Sequence, residues 1–519
     1  MIERALCGAL LAGAAMAWAA PAAAAECADL ARMGLPGGKV TAAALVAPGA
    51  FQPPVGAGGP PPGVAASRYG NLPAFCRVQV TLTPSADSDI KSEVWLPASG
   101  WNGKYVGIGN GIWAGTISYG EMGAALARGY AVAATDTGHT GNGLTGEFAV
   151  GHPEKLIDFG HRAVHETAVT AKRVIGAFYG SGPKQSYWNS CSTGGRQGLM
   201  EAYRYPADYD AISAMAPANP MTDLMTQSMW AGYQPQRAPG AAIPAPVLAN
   251  VHRAAVAQCD KLDGLEDGLI GQPLACKFDP GTVPGLTAEQ VETLGAIYRG
   301  PPRLPGWPVG SEMQLAVVAG GQTPFPVALT YFSMLAFAGR PGWDWKTFDY
   351  TRDAAAGRAY GAGILDVPPS GLAPFFARGG KLLMSHGWTD GLIPATNSLR
   401  FYNGLVPTLT PRQAAGQYRL FMVPGMDHCG GGEGASSFDT LGTIDGWATT
   451  GTAPNMILAT RGPAGPGGPP GAPPPPPRVP ISRPLCPYPH YARYNGAGDP
   501  NAATSFTCAA PAARTGERG

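Results

Sequence analysis

Hydrophobic and polar positions along the chain alternate between short apolar runs and longer periodic stretches. "KYVGIGN" (104–110) and "YAVAATDT" (130–137) are nearly continuous apolar runs of strand length, the pattern of strands buried on both faces. Residues 162–180, "RAVHETAVTAKRVIGAFYG", place apolar side chains at helical spacing and predict an amphipathic helix. Then come a strand in "SYWNSCS" (186–192), a helix in "GGRQGLMEAYRYP" (194–206) and a strand in "YDAISAMAP" (209–217). Two more strands, "GGKLLMSHG" (379–387) and "YRLFMVPG" (418–425), flank a helical stretch. Strand–helix alternation of this kind gives a mostly parallel sheet covered on both faces, an α/β architecture.

Residues 218–372 break the rhythm. They carry many prolines, a cysteine pair and several aromatics, and are expected to form a domain inserted between two strands. Two stretches rich in proline and glycine, 48–63 and 462–480, are expected as surface loops. The segment 481–519 is too short to fold alone and is expected to pack back onto the main body.

The N-terminus sets the compartment. Arg4, an apolar run and the small residues ending at Ala25 have the layout of a secretory signal peptide over 1–25, so the mature chain is expected to be exported, to a periplasm or the medium. A retained anchor is the alternative, but the run from Ala5 to Ala20 is short for a span. No other stretch suggests a membrane segment. Past the leader, eight cysteines remain, which reads as four disulfides in an exported chain; without a CxxC pair, metal ligation is the weaker reading. The net charge of +1 lacks the basic excess of a nucleic-acid binder.

Candidate chemistry sits in "SCSTGGRQG" (190–198), where Ser192 occupies a strand-to-helix turn. A nucleophilic serine on such a turn needs small flanking residues, an imidazole base and a carboxylate, in the chain order Ser, Asp or Glu, His. Here the flanks are Ser190 and Gly194, so the usual GxSxG becomes SxSxG. Asp390 follows one predicted strand and His428 follows the next, 38 residues later. Ser192 and Asp390 lie 198 residues apart, more than the bare fold needs, which again points to an insertion. If Ser192 and His428 meet, the adjacent Cys191 and Cys429 come within disulfide range.

These motifs, with "WNGKYVGIGNG", "TDTGH", "CDKLDGLEDGLI", "SHGWTDGLIP", "GMDHCGGG" and "RPLCPYP", resemble the tannase and feruloyl esterase family, which includes the mono(2-hydroxyethyl) terephthalate hydrolases. The resemblance runs over nearly the whole mature chain. It implies an α/β-hydrolase fold with an inserted lid domain: catalytic domain 26–217 and 373–519, lid 218–372. It implies Ser192 as nucleophile, His428 as base, Asp390 as acid, a Cys191–Cys429 bond, and an oxyanion hole from the N–H groups of Thr193 and Gly111. It also implies a secreted serine carboxylesterase for small aromatic esters of feruloyl, galloyl or terephthaloyl type. Ile393 stands where terephthalate-type enzymes carry an aromatic residue, which argues against that activity. A non-catalytic calcium-bound binding module and a peptidase are the rivals from other classes.

Within the insertion, Asp260, Asp263 and Asp267 recur with Gly264 and Gly268. Spacing alone fits an acidic turn as well as a hard-cation site. The resemblance implies structural Ca²⁺, with the carbonyls of Leu265 and Leu269 as further ligands, and the pairs Cys259–Cys276, Cys27–Cys76 and Cys486–Cys508. Asp427 is a rival carboxylate to Asp390 and stands where the family usually has glycine. Asp136 reads as a loop hydrogen-bonder. His161 and His165 lack a third ligand and read as packing. Trp113, Trp230, Trp388 and Phe375 suit a pocket wall or the core equally.

Overall fold

The computed structural model describes residues 26–54, 69–141, 143–338, 340, 342–463 and 478–511. The leader at 1–25 and most of both Pro/Gly-rich stretches lie outside the described residues. One sheet holds β1 (Gly34–Leu35), β2 (Gly38–Val46), β3 (Phe75–Leu82), β4 (Ile90–Pro97), β5 (Lys104–Ile108), β6 (Ala131–Thr135), β7 (Gln185–Cys191), β8 (Ala211–Met215), β9 (Lys381–Gly387) and β10 (Tyr418–Val423). Their order is β1-β2-β3-β4-β6-β5-β7-β8-β9-β10.

From β6 across to β10 every neighbouring pair is parallel. These are the continuous apolar runs of the sequence, and side chains alternate between two cores. Tyr105, Ile212, Leu382 and Leu420 pack on one face; Val106, Ala211, Leu383 and Phe421 pack on the other. Strands β1 to β4 add an antiparallel half that joins through β4 and β6. Nothing singled this half out in the sequence, because β3 alternates buried and half-buried positions and is preceded by the Pro/Gly-rich stretch. The expected amphipathic helix spans Ala163–Tyr179 and stops at Gly180, whose positive φ of 74° closes the end. The architecture is that of an α/β hydrolase.

Between β8 and β9 the chain is helical, with Met221–Tyr233, Ala245–Cys259, Ala288–Arg299 and Arg352–Leu365 as its longer helices and no strand among the described residues. It is tied to the sheet side by a reciprocal amide pair. Gln227 Nε2 donates to Asn397 Oδ1 at 2.9 Å, and Asn397 Nδ2 donates to Gln227 Oε1 at 2.7 Å. Trp307 Nε1 also donates to the Gly391 carbonyl, 3.1 Å away.

After β10, β11 (Ile457–Arg461) pairs with β12 (Ile481–Leu485), and β13 (Tyr491–Tyr494) pairs with β14 (Phe506–Ala509). This segment lies against β10, where Tyr488 N donates to the Leu420 carbonyl at 2.7 Å. Among the described residues there are four disulfides: Cys27–Cys76, Cys191–Cys429, Cys259–Cys276 and Cys486–Cys508.

Candidate active site

Strands β7, β9 and β10 run parallel and end on the same edge of the sheet, so the loops that follow them share one neighbourhood. Ser192 follows β7 directly and caps the helix Thr193–Arg204 with φ 63° and ψ −127°, a strained turn that exposes its hydroxyl. Such a turn tolerates little bulk. A Cβ on Gly194 would stand 2.1 Å from Ser190 Oγ. Ser190 explains the SxSxG departure, since its hydroxyl accepts the Gly109 N–H at 3.3 Å and draws the loop after β5 toward the turn.

Asp390 follows β9 and His428 follows β10. A Cβ on Gly387 would stand 2.0 Å from the Met426 carbonyl, so only glycine lets these two loops approach so closely. His428 Nδ1 lies 2.8 Å from Asp390 Oδ2, and His428 Nε2 lies 2.9 Å from Ser192 Oγ. A carboxylate only accepts, so Nδ1 carries the proton and Nε2 is free to accept from the serine hydroxyl. The structure therefore brings Ser192, His428 and Asp390 into one hydrogen-bonded line, and the Cys191–Cys429 bond, with Cα atoms 5.9 Å apart, joins the loops beside it.

Asp390 is fully buried. Burial alone would raise its carboxyl, but His428 and His386 hold it well below the ordinary carboxylate range. Its Oδ1 accepts the backbone N–H groups of Leu392 and Ile393, each at 2.9 Å. His386, a residue that nothing in the sequence distinguished, shares Oδ2 with His428 at 3.1 Å. Asp427 turns away from the imidazole; its oxygens accept from Thr389 Oγ1 at 2.9 Å and Gln314 Nε2 at 2.8 Å, and burial pushes its carboxyl up to about 6.

Two hydrogen bonds hold the loop that carries Gly111 against the helix start at Thr193: Gly194 N to the Asn110 carbonyl at 2.8 Å and Thr193 Oγ1 to the Ile112 carbonyl at 2.9 Å. Among the described residues, neither the Thr193 N–H nor the Gly111 N–H has a partner. Two free backbone donors beside a serine hydroxyl are the groups that an oxyanion hole needs.

Ser192 and His428 open onto a narrow slot of about 30 Å³, walled by Met221, Leu224, Met225, Phe325, Leu392 and Ile393, with the Ser228 hydroxyl as an added polar group. No Lys or Arg lines it. An open cleft of about 920 Å³ holds Asp136 and His139, and a cavity of about 170 Å³ holds Trp388 and Asp427; neither includes a member of the hydrogen-bonded line. Trp113, Trp230, Trp388 and Phe375 do not line the slot, whose aromatic side chain is Phe325. Trp113 is buried against Phe159 and bonded to the Val327 carbonyl, Phe375 is in the main core, and Trp230 packs on Tyr350. Asp136 accepts the Lys91 and Gly138 N–H groups, at 2.9 and 2.8 Å. His161 bonds Tyr205 Oη and His165 bonds Asp208, so the two histidines do not converge on a common ligand.

In the acidic loop, Asp260 accepts the Asp267 and Gly268 N–H groups, at 3.2 and 2.7 Å, and Asp263 accepts that of Leu265 at 3.2 Å. Burial first, then Asp267 and Asp260, push the Asp263 carboxyl up to about 7, against the lowering bond from Leu265. Arg483 donates to Asp267 Oδ2 at 2.5 Å. The three carboxylates are not gathered within 4.8 Å of one another, whereas ligand atoms of His165, Glu201 and Asp208 are. The donor types of the loop nevertheless suit a hard cation, with carboxylate and backbone carbonyl oxygens and with Asp260 and Asp263 buried.

The family model described as tannase and feruloyl esterase matches residues 76–319 and 333–509. An uncharacterized esterase of Xanthomonas campestris pv. campestris is 33% identical over 547 residues, covering 94% of this chain and 91% of that protein. A probable feruloyl esterase B-1 of Aspergillus flavus is 31% identical over 467 residues, covering 83% of this chain and 86% of its own. The crystal structure of feruloyl esterase B from Aspergillus oryzae superposes with TM-score 0.81 at 27% identity over 93% of this chain and 99% of that one. Tannin acyl hydrolase from Aspergillus niger shares the fold, with TM-score 0.72 at 19% identity over 92% of each chain. The chain belongs to the tannase and feruloyl esterase family and is a carboxylic ester hydrolase.

Proposed function

We propose that the protein is an exported serine esterase acting on small esters of aromatic acids through Ser192, His428 and Asp390. The observation that carries this reading is the unbroken line from Ser192 Oγ through the His428 ring to Asp390 Oδ2. Ser192 Oγ attacks the ester carbonyl while His428 Nε2 takes its proton. The N–H groups of Thr193 and Gly111 receive the oxyanion, and His428 returns the proton to the leaving alcohol. Water, activated by the same imidazole, then cleaves the acyl-enzyme. Asp390 stays ionised throughout and orients the ring.

The helical region between β8 and β9 acts as the lid, because its helix Met221–Tyr233 contributes Met221, Leu224, Met225 and Ser228 to the slot wall. An apolar wall suits a ring more than a sugar or a peptide backbone, and methionines can reshape to admit it. Export is supported by the layout of residues 1–25 and by four disulfides, which persist in oxidising compartments. Asp260, Asp263 and Asp267, with the carbonyls of Leu265 and Leu269, would hold a structural Ca²⁺ in the lid, where the cation would neutralise their crowded charge.

A fluorophosphonate probe with peptide mapping, together with hydrolysis of methyl ferulate, methyl gallate and mono(2-hydroxyethyl) terephthalate, tests the proposal. Labelling at Ser192, and at least about a 10⁴-fold loss of kcat/KM in a folded Ser192→Ala variant, are expected. Retained turnover in that variant overturns the assignment. Faster cleavage of matching amides than of esters overturns the substrate class.

A further inference from the structure

His386 is the last but one residue of β9, four residues before Asp390, and is fully buried. Its Nε2 lies 3.1 Å from Asp390 Oδ2 and 3.1 Å from the Ile393 carbonyl, and its Nδ1 lies 2.8 Å from Ser398 Oγ. A carbonyl oxygen and a carboxylate both only accept, so Nε2 carries the proton and shares it between them. Nδ1 is then left to accept from the Ser398 hydroxyl, which makes no other hydrogen bond among the described residues. All contacts of the ring are met by a neutral imidazole of one tautomer.

Asp390 thereby receives four donors: Leu392 N and Ile393 N on Oδ1, His386 Nε2 and His428 Nδ1 on Oδ2. In a dry site, each donor both fixes the carboxylate plane and lowers its appetite for a proton. The oxygen that His428 addresses is the one His386 holds. We propose that His386 is a positioning residue of the catalytic machinery, which fixes Asp390 Oδ2 against His428 and keeps the proton on the His428 side of their bond as imidazolium forms. No proton passes to His386. The Ser192 proton moves to His428 Nε2 and on to the leaving alcohol, while His386 supplies a static N–H. This inference rests on reading Ser192, His428 and Asp390 as the triad. Its signature differs from packing, because losing the donor leaves a more basic Asp390 that stabilises imidazolium too well.

The test compares His386→Phe, His386→Gln and Ser398→Ala with the unaltered enzyme and with Ser192→Ala, on a p-nitrophenyl ester over a range of pH. For His386→Phe, kcat is expected to fall about 10- to 100-fold with KM little changed, the size of a lost hydrogen bond to a charged group. The acid limb of its kcat/KM profile is expected to move to higher pH. Glutamine, which can present a side-chain N–H near the same point, is expected to return kcat to within about threefold of the original and the limb to its place. Should the Phe variant fail to fold, Ser398→Ala carries the test. It leaves the ring in place with its tautomer unlocked, and a smaller change in the same two readouts is expected. Turnover surviving in Ser192→Ala removes the triad reading itself. With Ser192→Ala inactive, an unshifted acid limb in folded His386→Phe or in Ser398→Ala overturns the role of His386 alone. So does a Gln variant no better than Phe, since packing would then account for the loss.

Discussion

Cys191 and Cys429 are bonded across 238 residues, and their neighbours Ser192 and His428 are hydrogen-bonded to each other at 2.9 Å. The covalent link lies one residue from each partner of that hydrogen bond. Both Ser192 and Cys429 also hold positive φ, at 63°, so the bond spans two constrained turns. Replacing Cys191 and Cys429 together by alanine is expected to lower stability by about 2–5 kcal/mol, as for other bonds that close long loops. It should also lower kcat more than it raises KM. A thermal melt and steady-state kinetics on the double variant check this; unchanged values in both would remove the bridge from the mechanism.

The slot by Ser192 offers no cation. A second carboxylate on the acyl group would be buried against Met221, Leu224, Met225 and Ile393 without a partner, at a cost of several kcal/mol. Mono(2-hydroxyethyl) terephthalate is therefore expected to show kcat/KM at least about 100-fold below methyl ferulate. Competition between the two substrates measures the ratio directly, and parity would mean that the charged end sits outside the slot.

Removing divalent cations is expected to lower Tm by several degrees, with Ca²⁺ but not Mg²⁺ restoring it, because a flexible ring of carboxylates and carbonyls suits the larger ion. Asp263→Ala should melt early and no longer respond to Ca²⁺. Differential scanning fluorimetry with a chelator and each ion in turn decides it; a chelator with no effect on Tm would leave the loop an acidic turn.

His252 sits between Glu312, fully buried and 2.9 Å away, and Glu433 at 3.4 Å. Burial by itself would lower its imidazole, yet these two carboxylates raise it from the ordinary 6.5 to about 9. A raised folded value means stability that is present in full below about pH 6.5 and is lost as pH climbs through about 9. The Tm gap between the original enzyme and His252→Gln should accordingly be largest near pH 6 and close by pH 10. A gap that widens with pH would reverse the assignment of charge to this imidazole.

Much of the candidate site is legible in the sequence because Ser192, Asp390 and His428 each sit in a short local motif. The small residues around Ser192 are demanded by its turn, and Asp390 and His428 follow apolar runs that read as strands. The six parallel strands were equally plain, being buried on both faces. The slot was not. Met221, Leu224, Met225 and Ser228 recur at helical spacing, and in a sequence such a stripe is indistinguishable from core. The aromatics were ambiguous for the converse reason: Trp113 and Phe375 suit a pocket wall or the core equally in a sequence, and only the folded chain shows them as filling. His386 escaped notice because a lone histidine in an apolar strand reveals nothing of its partners until the turn to Asp390 is folded.

The amide pair between Gln227 and Asn397 gives the helix Met221–Tyr233 two independent jobs. One side of that helix is bolted seven residues beyond Asp390, and the other shapes what may approach Ser192. Mutational drift on the stripe Met221, Leu224, Met225 and Ser228 can therefore reshape the slot while the anchor keeps the helix in place. An enzyme built this way can diversify its diet without having to rebuild its teeth.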